Sequence, residues 1–149
     1  MSKNGLYLSG GGARAAFQAG VIKAIYQITK TPTVPFELIT GVSAGGVNAC
    51  ILTQHADNFE KAVEELENLW TSIRSTNIFN TTHYDITKSV MRSFGLMFLE
   101  GRKAGYLLDT TPLRAFLEKN IHFKKIAKNI EKRLIKNLEI ICSCYDTQQ

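Results

Sequence analysis

The stretch ITGVSAGG, residues 39–46, decides how this chain folds. A β-prone run at 36–40 enters it, and a run of small and apolar residues at 47–52 leaves it. This pattern predicts a strand, a sharp turn and a helix with Gly-x-Ser-x-Gly at the corner, which presents a serine hydroxyl. Gly41 and Gly45 fit the prediction, because a Cβ at either position would obstruct the close passage of strand and helix. Ser43 is therefore a candidate nucleophile, although an ordinary glycine-rich turn remains open on the motif alone.

A second corner of the same kind is predicted near the beginning of the chain. Residues 6–8 form a short apolar run that predicts a buried strand, and three glycines, Gly10, Gly11 and Gly12, follow it. The next segment has apolar residues at helical spacing and no proline, which predicts a largely buried helix. These apolar residues are Ala16, Phe17, Ala19, Val21, Ile22, Ile25, Tyr26 and Ile28.

The two corners complement each other chemically. Backbone N–H groups at a glycine-rich helix entrance form an anion site. A serine nucleophile requires such a site, because the attacked carbonyl oxygen becomes negative in the transition state, and one donor typically contributes about 3–4 kcal/mol. The predicted oxyanion donors are the N–H of Ala44, directly after the serine, and those of Gly10, Gly11 and Gly12.

Taken together, the glycines followed by Arg14 and the later Gly41-x-Ser43-x-Gly45 resemble the patatin-like phospholipase family. The stretch LLDTTPL at 107–113 is similar to another recurrent segment of that family. The resemblance implies an α/β fold of three layers, α/β/α, with a mainly parallel central sheet. It also implies a lipid acyl hydrolase that uses a Ser–Asp dyad without histidine, cofactor or metal, and acts on phospholipid or another lipid ester. Arg14 is interpreted as structural, with contact to a lipid phosphate as the weaker option.

The aspartate of the implied dyad is the main departure from the family pattern. In the family this aspartate is followed by Gly-Gly or Gly-Ala, and none of Asp57, Asp85, Asp109 and Asp146 precedes a glycine. Asp109 is predicted to cap a helix instead. Residues 1–149 are therefore expected to be the N-terminal part of a patatin-like domain whose C-terminal half carries the base. Expressed alone, such a piece is expected to be aggregation-prone or loosely folded, because its sheet edge would lie open. It is also expected to be inactive, because the base is missing.

Composition and charge indicate the class of protein, its partners and its cellular location. With 149 residues, 44% hydrophobic and 21% charged, the chain is one globular domain or part of one. A net charge of +5 permits anionic partners, and a peripheral membrane surface is favoured over nucleic acid, for which no motif is present. The chain enters its first strand without room for a signal peptide, and its three cysteines match no metal pattern. A cytoplasmic location is expected; the sequence gives no indication of the oligomeric state.

Four further elements are predicted along the rest of the chain. They are an amphipathic helix ending near Ser72 with Trp70 in the core, a helix at 86–99, a helix at 112–120 and a strand at 138–144. The Met- and Phe-rich segment 86–99 either packs on the domain or forms an acyl-chain groove or lid. The lysine-rich segment 119–137 has one apolar face, which suits either a solvated helix or an anionic membrane surface. That face comprises Phe123, Ile126, Ile130 and Leu134.

Three alternatives to the Ser–Asp hydrolase remain at this stage. His55, His83 and His122 are the histidines of the chain, and Ser43, Asp85 or Asp109, and His122 follow the chain order of a histidine triad. The glycines also match a loose dinucleotide fingerprint, but that site needs an acidic residue at the end of the second strand, and Glu37 lies at its start. The third alternative is a non-catalytic remnant that binds lipid or regulates a partner.

Overall fold

The computed structural model describes residues 4–73 and 111–142. The elements in chain order are β1 (Gly5–Leu8), a 3-10 turn (Gly12–Arg14), α1 (Ala15–Thr29), β2 (Leu38–Val42), α2 (Ala44–Gln54), α3 (Phe59–Ser72), α4 (Thr111–Asn120), α5 (Phe123–Glu131) and β3 (Asn137–Ile141). The predicted helix at 86–99 and the residues His83, Asp85, Asp109 and Asp146 lie outside the described residues.

The chain divides into two compact units. The first comprises Met1–Ser72 and Asn120–Gln149, and it contains all three strands together with α1, α2, α3 and α5. The second comprises Ile73–Lys119 and contains nearly all of α4. The candidate nucleophile and the glycine-rich turn both belong to the first unit.

The three described strands form a parallel sheet in the order β1-β2-β3. In this register Leu8 of β1 lies beside Gly41 of β2, and Gly41 lies beside Ile140 of β3. Because the strands are parallel, the carboxyl ends of β1 and β2, where both glycine-rich turns begin, lie at the same edge of the sheet. The predicted α/β class and the mainly parallel sheet are thereby confirmed.

The two faces of the sheet differ in burial. Leu8 and Ile39 are buried on the face against α2, which contacts all three strands. On the opposite face, Tyr7, Leu38 and Ile141 are exposed, as expected for side chains that alternate along a strand. β3 is shorter than predicted, and both Ile140 and Ile141 are partly exposed. β3, at one edge of the described sheet, is therefore largely exposed.

The prediction of a largely buried first helix is wrong. In α1 only Ala15, Ala19 and Ile22 are buried, and they belong to the side that packs against α2 and α3. Phe17 is 77% exposed and Ile28 is 82% exposed. The spacing of apolar residues predicted the helix correctly. It could not show that only one face of α1 packs against α2 and α3 while the other face is exposed to solvent.

Helix α2 is the centre of the first unit. It contacts α1, α3 and α5 as well as the sheet, and nearly all of its residues are buried. α3 begins where the Oδ1 of Asn58 accepts a hydrogen bond of 2.9 Å from the N–H of Lys61, the arrangement of an N-terminal cap. The predicted amphipathic character of α3 is confirmed by its buried residues, Phe59, Ala62, Val63, Leu66 and Leu69.

Helix α5 covers only part of the predicted segment 119–137 and uses a different face. Ile126 is buried, but Phe123 is 70% exposed, and the other buried residue is Asn129. The side-chain amide of Asn129 donates to the carbonyl of Thr53 at 2.9 Å, which fixes α5 to the end of α2. The helix ends at Glu131 and is followed by Arg133, whose φ of 60° is left-handed, while the N–H of Leu134 bonds back to the carbonyl of Asn129.

Candidate active site

Ser43 occupies the corner between β2 and α2 in a strained conformation. Its φ is 52° and its ψ is −124°, a region that non-glycine residues rarely adopt. The residue is exposed, and its side chain does not cap the helix that begins directly after it. Within residues 4–73 and 111–142 the Ser43 hydroxyl has no hydrogen-bond partner. The backbone therefore holds this oxygen at the surface and leaves it available for chemistry.

The two glycines of the motif are required by close backbone contacts. A Cβ on Gly41 would lie 2.6 Å from the carbonyl oxygen of Gly45 and 2.6 Å from the Cα of Gly46. A Cβ on Gly45 would overlap the carbonyl oxygen of Leu8 and lie 2.6 Å from that of Ser9. The first turn of α2 thus packs directly against the end of β1, which brings the two corners together.

The glycine segment, defined as Gly10, Gly11 and Gly12, lies beside the serine. A Cβ added to Gly10 would be 3.4 Å from the Cβ of Ser43. Gly12 has a φ of 55°, and the N–H of Arg14 bonds to the carbonyl of Gly11 at 3.1 Å, so the segment turns tightly into α1. All three glycines are exposed. The structure therefore places the predicted oxyanion loop next to the predicted nucleophile.

The backbone N–H groups of the glycine segment and of Ala44 have no acceptor among the described residues. The N–H groups in the first turn of a helix have no partner inside the helix, and a ligand can satisfy them. Arg14 is exposed, and its Cβ is the nearest neighbour of a Cβ added to Gly11, at 3.4 Å. The geometry suits binding of a small negative oxygen close to Ser43.

A partly buried hydrogen-bond network, which the sequence analysis did not predict, supports the glycine segment. The Gln18 amide donates to the carbonyl of Ser9 at 2.8 Å, and its oxygen accepts from the Asn48 amide at 3.1 Å. Asn48 also donates to the carbonyl of Ala15 at 3.0 Å and accepts from the indole N–H of Trp70 at 2.8 Å. Trp70 is half-buried and hydrogen-bonded rather than a plain core residue. A lone asparagine within the small-residue helix α2 was the available signal.

We expect Asn48→Ala to destabilise the protein by about 2–3 kcal/mol, because hydrogen bonds are lost and buried polar partners are left unsatisfied. Urea unfolding of the purified protein measures this change. Asn68→Ala on the exposed surface of α3 is the matched control, and we expect it to change the free energy of unfolding by less than about 0.5 kcal/mol. Equal effects of the two substitutions would contradict a supporting role for Asn48.

The other candidate acids and bases that are described lie far from Ser43. Asp57 follows the C-terminal end of α2, and the N–H of His122 donates to Gln54 Oε1 at 2.9 Å at that same end. α2 has 11 residues, so this end is about 16 Å from the serine. The interpretation of His122 as the histidine of a triad is therefore wrong. Glu37 precedes β2 at the opposite edge of the sheet from Ser43, which also disfavours the dinucleotide interpretation.

His55, at the C-terminal end of α2, is a buried histidine whose pKa is shifted. Burial lowers its pKa below the usual 6.5, although the nearby Glu65 carboxylate opposes the shift, and the positive charges of Lys125 and Lys61 reinforce it. The folded protein therefore resists protonation of this imidazole more than the unfolded chain does. Folding therefore favours the neutral form of this imidazole.

This shift predicts that stability decreases in mild acid. Below about pH 6.5 the unfolded state binds more protons at this histidine than the folded state, so the free energy of unfolding falls as the pH falls toward the lowered folded pKa. Above that range His55 makes no pH-dependent contribution. We expect His55→Gln to reduce the slope of stability against pH between about pH 7 and pH 5. His122→Gln, which removes an exposed imidazole, is the control, and an unchanged slope in His55→Gln would contradict the prediction.

Cys50 is not an alternative nucleophile. It is buried within α2, and burial raises its pKa to about 11. A thiol with such a pKa is almost fully protonated at neutral pH and reacts slowly.

Among residues 4–73 and 111–142, no group of three His, Cys, Asp or Glu side chains converges on a position for a metal ion. No helix in those ranges combines the length and the apolar character that crossing a membrane requires.

A parallel sheet with a strained, exposed serine between strand and helix defines the class of α/β proteins with a Gly-x-Ser-x-Gly corner. Within that class, the chain belongs to the patatin-like phospholipase family, whose sequence model matches residues 6–144. The family resemblance stated from the two glycine motifs is confirmed.

Two curated relatives add to this assignment. Lysophospholipase nte1 of Aspergillus terreus is 27% identical over 116 residues, which cover 72% of this chain and 7% of the relative. Lysophospholipase NTE1 of Chaetomium globosum is 25% identical over 116 residues, with the same coverage of 72% and 7%. This chain thus spans about 7% of the length of the curated relatives it matches. No solved structure shows significant similarity to it.

Proposed function

We propose that this chain carries the nucleophile and the oxyanion site of a serine lipid acyl hydrolase. The observation that carries the proposal is the strained, exposed Ser43 beside a glycine segment whose N–H groups have no acceptor among the described residues. Membership of the patatin-like phospholipase family supports a lipid ester as substrate. The names of the two fungal relatives favour a lysophospholipid, and the enzyme would act peripherally at a membrane surface.

In the proposed reaction, the Oγ of Ser43 attacks the ester carbonyl of the lipid. The carbonyl oxygen becomes negative and accepts hydrogen bonds from the N–H of Ala44 and from the glycine segment. The tetrahedral intermediate then collapses to an acyl-enzyme, and the alcohol part of the lipid leaves with a proton. Water attacks the acyl-enzyme, which releases the fatty acid and restores the Ser43 hydroxyl.

The proposed reaction also requires a general base that takes the proton from the Ser43 hydroxyl. We place it on an aspartate in the part of the protein beyond this chain, as in the Ser–Asp dyad that the family resemblance implies. Asp57 lies at the wrong end of α2 for this role, and no aspartate in the chain is followed by glycine. Arg14 is proposed to support the glycine segment through its packing against Gly11.

A serine-directed fluorophosphonate probe tests the nucleophile directly. The full-length protein should be labelled, Ser43→Ala should not be labelled, and Ser72→Ala, a serine at the end of α3, should be labelled like the wild type. Labelling of Ser43→Ala at the wild-type rate would overturn the assignment of the nucleophile. Lipid binding with no labelling of any form would instead favour the non-catalytic alternative.

A further inference from the structure

A second concave site lies at the end of α2 that is remote from Ser43. It is a cleft of about 370 Å³ between the end of α2, the start of α3 and one side of α5. All of the residues that line it belong to the first compact unit. Those that the argument uses are Lys61, Lys125, Lys128, Lys132, His55 and Asn58.

The charge of this cleft is strongly positive. Lys125 and Lys128 lie on one side of α5 at a spacing of three residues, and Lys132 directly follows the last residue of that helix. Lys61 is contributed by α3. All four side chains are exposed, and none forms an ion pair with a carboxylate within residues 4–73 and 111–142. Asp57 is the one carboxylate in the lining, so the lysines outnumber the acidic groups four to one.

The wall of the cleft also holds the buried imidazole of His55. The His55 side chain is only 4% exposed, and its Nε2 lies 2.7 Å from Oε2 of Glu65. Glu65 thus partners Nε2 of His55, and the positive charge of the cleft comes from its lysines. The first turn of α3, which carries the partial positive charge of a helix N-terminus, borders the same cleft at Asn58 and Lys61. The partial negative charge at the C-terminal end of α2 opposes the positive potential in the cleft, but the four lysine ammonium groups outweigh this partial charge.

We propose that this cleft binds the phosphate group of a small anion, either the headgroup of a phosphorylated lipid or a soluble phosphate compound. Its volume falls within the range of about 300–1,000 Å³ that is usual for small-molecule sites. Lysine ammonium groups are point charges suited to phosphate oxygens. The site is separated from Ser43 by the length of α2, about 16 Å. An anion bound in the cleft would therefore not contact the ester that Ser43 attacks. The proposal does not depend on the hydrolase activity.

The experiment uses the full-length protein and two probes. Inorganic pyrophosphate is titrated by calorimetry at physiological ionic strength, where contacts between exposed, distant charges are largely screened. Vesicles of phosphatidylcholine containing phosphatidic acid are tested by co-sedimentation, with pure phosphatidylcholine vesicles as the reference. The test variant is Lys125→Gln with Lys128→Gln. The control is Lys124→Gln with Lys136→Gln, which removes the same charge near the same helix but outside the cleft.

We expect saturable pyrophosphate binding that the test variant weakens by about tenfold or more, while the control changes the affinity by less than about twofold. Lys61→Gln, on a different helix, should weaken binding in the same direction, and Ser43→Ala should bind like the wild type. If the phosphatidic acid vesicles also bind through Lys125 and Lys128, the natural ligand is a lipid headgroup; if only pyrophosphate binds, it is a soluble phosphate. Binding of neither probe, or equal weakening by the test and control variants, would overturn the proposal.

Discussion

Ser43→Ala in the full-length protein should lower kcat for lysophospholipid hydrolysis by roughly 10⁴-fold or more, with little change in KM. The reason is that the substitution removes the only atom of this residue that forms a bond to the substrate, and leaves the apolar contacts in place. Initial rates of fatty acid release over a range of substrate concentrations measure both constants. Ser72→Ala should retain wild-type kinetics.

Ser43→Gly distinguishes the effect of losing the nucleophile from the effect of backbone strain on stability. Ser43→Gly should be as inactive as Ser43→Ala but more stable than it by about 1 kcal/mol, because glycine adopts the positive φ of 52° without strain. Thermal or urea unfolding of the two variants measures the difference. Retention of more than about a tenth of the wild-type kcat by either variant would contradict the assignment of Ser43 as nucleophile.

Gly45→Ala should destabilise the protein by more than about 3 kcal/mol or prevent its folding. The added methyl group would overlap the carbonyl oxygen of Leu8 and lie 2.6 Å from that of Ser9, and both are backbone atoms that cannot rotate away. Relief would require the end of β1 to move away from α2. We therefore expect such a variant to lose Ser43 labelling together with its cooperative unfolding transition.

Gly20→Ala is the matched control for this prediction. Gly20 lies within α1, and a Cβ there would meet no atom within 4 Å. Alanine in the middle of a helix is favoured over glycine by about 0.5–1 kcal/mol, so this variant should be slightly more stable than the wild type. If both alanine variants fold with wild-type stability, the close packing of β1 on α2 described above is incorrect.

The sequence predicted the local corners well because each is determined by its own residues. Gly41, Ser43 and Gly45 specify a strand–turn–helix corner by steric requirement alone, and the structure has that corner where the motif predicts it. The mainly parallel sheet was expected from the family resemblance that these motifs carry, and β1 and β2 pair in parallel. Family membership followed from the order of the two glycine motifs.

The tertiary contacts were the part that could not be predicted. Phe17 and Ile28 are exposed in α1, although their residue types favour burial, because packing depends on neighbours distant in the chain. The buried face of α5 contains Asn129, which no hydrophobic pattern would select, because its partner is a carbonyl 76 residues away. The cleft was missed for the same reason: Lys61 and Lys125 are far apart in sequence and meet only after folding.

The hydrogen bonds that join Ser9, Gln18, Asn48 and Trp70 have an optical consequence. The chain contains one tryptophan, so its intrinsic emission comes from a single indole. That indole is hydrogen-bonded to Asn48, which contacts Gln18, and Gln18 in turn holds the carbonyl of Ser9 next to the glycine segment. A change in the position of the glycine segment is thereby linked to the polarity around Trp70. We therefore expect the emission of Trp70 to respond when the glycine segment beside Ser43 changes position, without a chemical label.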